Sequence, residues 1–232
     1  MIHAKTILRQ HSLGAADLAM GPGPFSVRFG SARAKVCNSH ALSGIREIWV
    51  RNVYLGDDGF LKIPPDATVV DLGANNGNFT VLALAHGPQV RVVAVEPLTE
   101  CMPKLMGNIA CNGWQDRVSI CKALIGGETS FQREMAQAGQ IGGASFISEA
   151  QFVEQYNLRK IDLLKCDIEG SEFELLHPGS LLLAAAQQIA IELHDWGGNC
   201  DEFGEMLRNQ GFEVIVRRLD PGCRIVNARR RS

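Results

Sequence analysis

The amino-acid sequence predicts an α/β protein built on a mostly parallel sheet of seven strands, with helices on both faces. From Thr68 onward, short apolar runs rich in valine, leucine and isoleucine alternate with segments of helical length. Such alternation is typical of parallel strands that are connected by crossover helices. The last two apolar runs are separated only by a turn at Pro221-Gly222, which permits a hairpin and one antiparallel strand.

The predicted elements follow one another along the chain, and breaker residues mark several of their ends. Gly87-Pro88, Asn112-Gly113 and Gly211 interrupt the apolar periodicity, and we expect helices to end there. The predicted strands are 69–72, 90–96, 117–124, 161–168, 188–193, 212–219 and 223–228, and the predicted helices are 77–86, 99–111, 170–176 and 201–210.

The N-terminal region lacks this alternation. We interpret residues 1–60 as an N-terminal cap that covers the substrate, ahead of the α/β domain at 61–232. A Gly-Pro cluster separates residues 1–20 as a helix or arm. The runs at 25–29 and 47–54 are predicted to be short strands or cover for the sheet.

Residues 125–150 interrupt the alternation a second time. This insertion is rich in glycine, serine and glutamine, and it is long for a connection in a compact domain. We expect either a functional loop that closes over a substrate, a small β excursion, or a mobile surface insertion.

Composition and charge restrict the class of protein. A chain of 232 residues allows one sizeable α/β domain, and a net charge of −2 provides no general attraction to nucleic acid. The seven cysteines include no C-x-x-C pair, which fits reduced thiols in a cytosolic protein. No apolar stretch approaches the ~20 residues of a membrane helix. We therefore expect a cytoplasmic protein that binds neither nucleic acid nor membrane.

The segment VVDLGANNG at 69–77 and the acid that ends the next strand are the most informative features. A buried strand runs into Asp71, a turn of small residues follows, and Glu96 closes the second strand. Gly73 and Gly77 allow the backbone to approach a ligand closely, and the Glu96 carboxylate can accept both hydroxyls of a ribose. This layout predicts a site for a nucleoside cofactor.

Two residues in the turn indicate which nucleoside. In the dinucleotide pattern G-x-G-x-x-G the glycines bring the chain against a pyrophosphate, whereas Asn75 replaces the second glycine here. A carboxylate repels a phosphate but attracts an ammonium group. Asp71 therefore favours a cofactor with a positive amino-acid end, such as S-adenosylmethionine, over a nicotinamide dinucleotide.

Polar side chains also follow the later strands, at the edge where α/β sheets bind ligands. Our predicted catalytic residues are Asp167, Glu169, Glu192 and His194. His194 could be a general base for a hydroxyl substrate or a structural histidine that bonds to the neighbouring backbone. Carboxylates with one imidazole would also suit magnesium or manganese, but no fixed ligand spacing is present, and we predict no metal site.

Two longer motifs resemble the FkbM family of S-adenosylmethionine-dependent methyltransferases. VVDLGANNGNFT at 69–80 resembles the family's glycine loop, including the asparagine that replaces the middle glycine, and IDLLKCDIEGSEFELL at 161–176 resembles its second signature. The match spans about 66–194. The resemblance implies the Rossmann-like fold of class I methyltransferases, S-adenosylmethionine as methyl donor and, most often, O-methylation.

The resemblance also implies which residues bind the cofactor. Carried over by position, they are Asp71, Gly73, Ala74, Asn75, Gly77, Phe79, Thr80, Glu96, Pro97, Leu98, Ala123 and Leu124. Among these, Glu96 would bind the ribose. Asp167 would lie near the transferring methyl group, and Glu169 would belong to the same signature.

We expect the acceptor to be a hydroxyl on a small molecule, such as a natural product or sugar. The alternatives are a methyltransferase directed at nitrogen or RNA, and a non-catalytic module that binds a nucleoside. The chain has no N-P-P-[YF] tetrapeptide after 161–167, which counts against many amino-directed enzymes. The identity of the acceptor and the oligomeric state are not predicted.

Overall fold

The computed structural model describes residues 23–37, 42–56, 59–126, 133 and 137–231. The arm expected at 1–20 and part of the 125–150 insertion lie outside the described residues. Among the described helices, none is both long enough and apolar enough to cross a bilayer.

The described chain contains eleven strands and seven helices. The strands are β1 (Phe25–Phe29), β2 (Ala32–Val36), β3 (Thr68–Leu72), β4 (Arg91–Val95), β5 (Val118–Cys121), β6 (Ala123–Ile125), β7 (Ser145–Ile147), β8 (Leu163–Cys166), β9 (Gln188–His194), β10 (Phe212–Asp220) and β11 (Cys223–Arg230). The helices are α1 (Leu42–Ile45, continued by the π-helical turn Arg46–Val50), α2 (Asn78–Leu84), α3 (Met102–Ala110), α4 (Glu149–Gln155), α5 (Glu172–Leu175), α6 (Leu181–Ala185) and α7 (Cys200–Asn209).

A seven-stranded sheet in the order β10-β11-β9-β8-β3-β4-β5 forms the centre of the fold. Strands β9, β8, β3, β4 and β5 pair in parallel, whereas β11 pairs antiparallel with both β9 and β10. The fold class predicted from the sequence, with its terminal hairpin, is therefore confirmed. The connections reverse direction between β3 and β8, which creates a switch point at the carboxyl ends of these two strands.

Both faces of the sheet are buried, and period-2 alternation divides each central strand between two cores. In β3, for example, Val69 packs into one core and Val70 into the other. The first core contains α2, α3 and the N-terminal segment that includes α1. The second core contains apolar side chains of α4, α6 and α7.

Of the two alternatives predicted for 47–54, the short strand is wrong, because the segment begins as a helical turn whose buried residues cover one face of the sheet. Ile45, Ile48 and Trp49 are buried together in the first core, and their spacing of three and four residues matches one face of a helix. The aromatic and β-branched residues favoured a strand locally, but burial at helical spacing decided the outcome. The strand predicted at 25–29 is present as β1.

The strand predicted at 117–124 divides at Lys122 into two strands of different sheets. β5 completes the main sheet, whereas β6 pairs in parallel with β7 in a separate two-stranded sheet. The described part of the 125–150 insertion therefore contains a small β excursion. This division turns Ala123 and Leu124 away from the main sheet and towards the site described below.

Candidate active site

A cleft opens at the carboxyl end of the main sheet, at the switch point between β3 and β8. α/β sheets bind their ligands at this position. The residues that line the cleft are Leu72, Gly73, Asn75, Val95, Glu96, Pro97, Leu98, Ala123, Leu124, Ile125, Asp167, Ile168, Glu169 and Leu175.

The lining of this first cleft is mostly apolar, with a few carboxylates. Leucine, isoleucine and valine side chains provide the apolar surface that a flat nucleoside base requires. Glu96 lies in the same lining, at the end of β4. These residues therefore fit a nucleoside, with the apolar part around its base and a carboxylate for its ribose.

Glu96 is held rigidly in the wall of the cleft. Its Oε2 accepts the backbone N–H of Asn75 at 2.7 Å, and its Oε1 accepts that of Leu98 at 2.8 Å. Only 3% of the residue is exposed. Burial raises the pKa of this carboxyl, while the two backbone hydrogen bonds lower it. The bond from Asn75 joins the β3–α2 loop to the chain after β4.

The β3–α2 loop requires glycine because it passes very close to the chain after β8. Gly73 has φ +71°, and a Cβ atom there would lie 1.7 Å from the carbonyl oxygen of Asp167. Asn75 also has a positive φ of 49°, which asparagine tolerates better than most residues. At Gly77, with φ +81°, a Cβ atom would meet Leu105 of α3 at 2.6 Å. The glycines thus permit close packing within the protein, and only Gly73 lines the first cleft.

Asp71 lies beneath this loop rather than in the wall of the cleft. It is fully buried, its Oδ1 lies 3.2 Å from Lys165 Nζ, and its Oδ2 accepts the Thr80 hydroxyl at 2.6 Å. Lys165 is paired with Asp71 in the β3–β8 register and donates to the carbonyl of Gly73 at 2.7 Å. Although burial lowers the pKa of Lys165, the attraction of Asp71 and Asp167 outweighs this effect and raises it. Asp71 therefore fixes the loop through a charged lysine.

A second cleft adjoins the first and shares three of its residues. Gly73, Asn75 and Asp167 line both. The other lining residues of the second cleft are Gly44, Glu47, Ile48, Tyr54, Ala74, Asn76, Asn78, Phe79 and Lys165. Asp167 thus stands where the two clefts meet, and the N-terminal segment supplies one wall of the second.

Three oxygen-bearing side chains meet beside this junction. The hydroxyl of Tyr54 lies 2.8 Å from Asp167 Oδ2 and 3.1 Å from Glu192 Oε2. Burial, together with the charges of Asp167 and Glu47, raises the pKa of Glu192 to about 7. The pKa of Glu47 is also raised, by burial and then by Asp167. The cluster therefore contains a carboxyl that exchanges its proton near neutral pH.

His194, at the end of β9, belongs to a separate ion cluster. Its Nδ1 lies 3.3 Å from Glu172 Oε1, outside hydrogen-bond geometry, and its Nε2 lies 3.7 Å from Glu169 Oε2. Contact with Glu172 raises the pKa of His194 to about 9 in spite of burial. Atoms of Asp167, Glu172 and His194 lie within 4.8 Å of one another, a spacing that a metal could bridge. With its pKa raised to about 9, the imidazole contributes a positive charge to this cluster at neutral pH.

The structure brings most of the predicted residues to the two clefts, and it adds residues that were not predicted. Nine of them line the first cleft, and Ala74 and Phe79 line the second. Asp71, Gly77, Thr80, Glu192 and His194 line neither. Tyr54, Glu47 and Lys165 were missed. A tyrosine within an apolar run was the one available signal, since a buried tyrosine hydroxyl requires a partner.

The fold and the first cleft together define an α/β protein with a nucleoside-type site at the switch point of its sheet. The family model Methyltransferase FkbM domain matches residues 71–214, which is more than half of the chain. The chain therefore belongs to the FkbM methyltransferase family, as predicted, and its cofactor is S-adenosylmethionine. It is an S-adenosylmethionine-dependent methyltransferase.

Curated relatives are distant in sequence. AMB antimetabolite synthetase AmbE of Pseudomonas aeruginosa is 29% identical, with 74% of this chain covered but only 10% of that protein. Methyltransferase sdnD of Sordaria araneosa is 24% identical, with coverage of 68% and 78%. The methyltransferase FkbM of Streptomyces tacrolimicus is 25% identical, with coverage of 74% and 81%. This chain therefore corresponds to a small part of the first relative and to most of the other two.

Solved structures with a similar chain path include two methyltransferases. The precorrin-6y C5,15-methyltransferase of Geobacter metallireducens has a TM-score of 0.48 at 13% identity, with 78% of this chain and 92% of that chain covered. The METTL16 methyltransferase domain has a TM-score of 0.47 at 15% identity, with coverage of 82% and 83%. These sequences are too distant to bear on the acceptor of this protein.

Proposed function

We propose that this methyltransferase transfers a methyl group to a hydroxyl of a small molecule, such as a natural product or a sugar. The observation that carries the proposal is the cluster of Tyr54, Asp167 and Glu192 beside the junction of the two clefts. A hydroxyl is a weak nucleophile until it loses its proton, and a carboxylate within reach can accept that proton.

We assign the cofactor to the first cleft and the acceptor to the second, with Asp167 between them. The first, apolar cleft would hold the nucleoside of the cofactor, with Glu96 at the ribose. Gly73 and Asn75, shared by both clefts, would lie along its methionine end. S-adenosylmethionine supplies a methyl group bonded to a positive sulfur. The second cleft would then hold the acceptor, positioned in line with that bond.

Glu192 is better suited than His194 to act as the general base. A base must be able to exist without its proton at the working pH. The pKa of Glu192 is raised to about 7, whereas that of His194 is raised to about 9, so His194 holds its proton at neutral pH. Asp167 would help to orient the acceptor at the junction of the clefts.

Two further observations support a small hydroxylated acceptor. The Streptomyces relative is named 31-O-demethyl-FK506 methyltransferase, which describes methylation at an oxygen of a small molecule. The net charge of −2 offers no general attraction for RNA, and we propose no nucleic-acid or membrane partner.

We also propose a cytoplasmic location, supported by seven free thiols.

An acceptor panel tests this proposal. The purified protein is incubated with S-adenosylmethionine and with polyols, sugars, macrolide alcohols, primary amines or RNA, and release of S-adenosylhomocysteine is measured. Mass spectrometry and NMR then locate the new methyl group. We expect it on an oxygen, with turnover lowered at least 100-fold by Glu192→Gln, the order expected for loss of a general base.

The matched control is Glu205→Gln, because Glu205 is an exposed glutamate on α7 far in sequence from the cluster. It should keep wild-type turnover. Methylation of amines or RNA in preference to every alcohol would overturn the proposal. Full activity of Glu192→Gln on an alcohol would overturn the assignment of the base.

A further inference from the structure

Tyr54 reaches the site from a part of the chain that precedes the residues matched by the family model. The match begins at Asp71, whereas Tyr54 follows α1 in the N-terminal segment. Only 4% of Tyr54 is exposed, yet its hydroxyl lies within hydrogen-bond distance of two carboxyl groups, those of Asp167 and Glu192. Such a buried contact with two acids requires a physical explanation.

A phenol has one proton, so it can donate to only one of the two carboxyl groups at a time. Burial, followed by the charges of Asp167 and Glu192, raises the pKa of Tyr54 well above 10, so the proton stays on the phenol. The contact with Asp167 is the shorter, at 2.8 Å against 3.1 Å. The contact with Glu192 is then favourable when Glu192 itself carries a proton and donates it to the phenol oxygen.

The ring of Tyr54 is fixed on several sides, so that its hydroxyl cannot turn away from the two acids. Its backbone carbonyl accepts the side-chain N–H of Asn227 on β11 at 2.6 Å. Phe79 packs edge-on against the ring at 5.5 Å between centroids, and Lys165 Nζ lies 5.2 Å from the ring centre. The hydroxyl is therefore preorganised between the two carboxyl groups.

We propose that Tyr54 is a positioning residue for acceptor activation: it directs its own proton to Asp167 and so makes Glu192 the carboxyl that gains and loses a proton. The inference rests on the proposed function in one respect, that Glu192 is the base. During transfer, the proton of the acceptor hydroxyl would pass to ionised Glu192, and the electron pair left on oxygen would form the bond to the methyl carbon. The bond between that carbon and sulfur would break, and its electron pair would remain on the neutral sulfur of the product S-adenosylhomocysteine. Glu192 then returns the proton to solvent.

Glu192 is surrounded by charged or titratable groups from four elements. Asp167 follows β8 and Glu47 lies in α1, and both raise the pKa of Glu192. His194 lowers it, and Tyr54 would lower it only if its proton were directed to Glu192 instead of Asp167. The thiol of Cys223 on β11 also contacts Glu192. With the phenol proton on Asp167, the phenol oxygen can accept a hydrogen bond only from protonated Glu192. Replacement of Tyr54 removes this partner of the protonated form, so the titration of Glu192 should move to lower pH.

The test is an NMR titration of the protein with no ligand added. Protein labelled with ¹³C at the glutamate side-chain carboxyls is titrated, and Glu192→Gln identifies the Glu192 signal. We expect a wild-type midpoint of about 7. In Tyr54→Phe, which keeps the ring but lacks the hydroxyl, the midpoint should fall by roughly half to one pH unit, the value of one hydrogen bond.

Tyr156→Phe is the matched control, because Tyr156 is the second of the two tyrosines in the chain and its hydroxyl contacts Cys121 and Gln155 instead. Its Glu192 midpoint should equal that of the wild type. Asp167→Asn gives a second test should Tyr54→Phe fail to fold: it should lower the midpoint, because a repelling charge is lost and the phenol proton becomes free for Glu192.

An unchanged or raised midpoint in Tyr54→Phe, or an ordinary glutamate midpoint near the reference value of ~4.3 in the wild type, would overturn the inference. The titration uses no acceptor, so its failure would leave methylation of a hydroxyl standing. Conversely, methylation of an amine in the acceptor panel would overturn the proposed function and leave the titration result intact.

Discussion

The carboxyl groups of the site differ in how their negative charge is balanced. Asp71 is matched by Lys165 across the β3–β8 pair and by the Thr80 hydroxyl, so this pair can serve as fixed scaffold. Asp167 and Glu192 share one tyrosine hydroxyl and have no cation of their own within 3.5 Å among the described residues. Burial and the charge of Asp167 raise the pKa of Glu192 to about 7, and a carboxyl of this kind is suited to proton exchange.

His194 makes the stability of the protein depend on pH. Its pKa is raised from 6.5 to about 9 in the folded state by Glu172. This stabilisation is fully present below pH 6.5 and is lost as pH rises through about 9. We expect the melting temperature to fall across this window, by about 2–4 °C for each kcal/mol lost, and to fall less in His194→Asn. Differential scanning calorimetry from pH 6 to 9.5 measures both.

His177→Asn is the control for this prediction, because His177 is an exposed histidine after α5. It should follow the wild-type curve. A wild-type melting temperature that does not change between pH 6.5 and 9 would contradict an imidazolium held by Glu172.

Sequence reasoning found the acids of the site but not their partners. Asp167, Glu192 and His194 could be predicted because they follow strands that end at one edge of the sheet. The side chains that set their protonation could not, since Tyr54 lies 113 and 138 residues away from the carboxyls that it contacts. Spacing along the chain carries no information on such pairings until the fold brings them together.

At the scale of elements, strands of the parallel sheet were predictable and the surrounding segments were less so. A buried parallel strand gives a continuous apolar run, as in β3 and β4. The run at 117–124 gave the same signal, although it divides between two sheets, because apolar composition does not say which neighbour a strand pairs with. In α1 and its continuation, the helical spacing of buried residues outweighed strand propensity.

The close approach of the β3–α2 loop to the chain after β8 can be tested by adding one methyl group at Gly73. Gly73→Ala would place a Cβ atom 1.7 Å from the Asp167 carbonyl oxygen and would also strain a φ of +71°. The loop must then move away from β8, which would disturb both clefts. We expect at least a tenfold loss of S-adenosylmethionine affinity by calorimetry and a stability loss of more than the ~1–2 kcal/mol that a left-handed residue costs.

Gly113→Ala separates the effect of backbone strain from the effect of steric contact with the chain after β8. Gly113 has nearly the same φ, +70°, but an added Cβ atom there would meet nothing within 4 Å. It should therefore lose stability through backbone strain alone and keep wild-type affinity for the cofactor. Equal behaviour of the two variants would show that close approach to β8 is not what Gly73 provides.

At the scale of the whole molecule, the N-terminal segment is part of the core on one face of the sheet. The sequence predicted a cap at 1–60 in front of a domain at 61–232, drawn from the lack of regular alternation in the cap. In the structure, buried side chains of this segment pack in the same core as α2, α3 and the strands of the sheet. These side chains are Val27, Val36, Ile45, Ile48, Trp49, Val53, Tyr54 and Leu55. Asn227 of β11 also bonds to the Tyr54 carbonyl.

This packing predicts that residues 61–232 do not fold alone. Burial of one large apolar side chain stabilises a protein by roughly 1.5–3 kcal/mol, and removal of residues 1–60 exposes the surface that all of these side chains cover. The expected loss of about 10 kcal/mol or more is comparable to the ~5–15 kcal/mol of total stability that a domain possesses. Circular dichroism melting and dispersion of amide NMR signals, compared between the full chain and residues 61–232, measure the outcome.

The shortened chain should lack a cooperative melting transition, whereas a chain that begins at Gly23 retains every described residue of the core and should melt cooperatively. A cooperative transition in residues 61–232, with S-adenosylmethionine still bound, would mean that the N-terminal segment is a separable cap. In that case Tyr54 would be a residue of the cap, supplied to Asp167 and Glu192 only when the cap is closed on the sheet. Without such a transition, the sheet and the segment that carries Tyr54 fold as one unit, and the hydroxyl is a permanent part of the site.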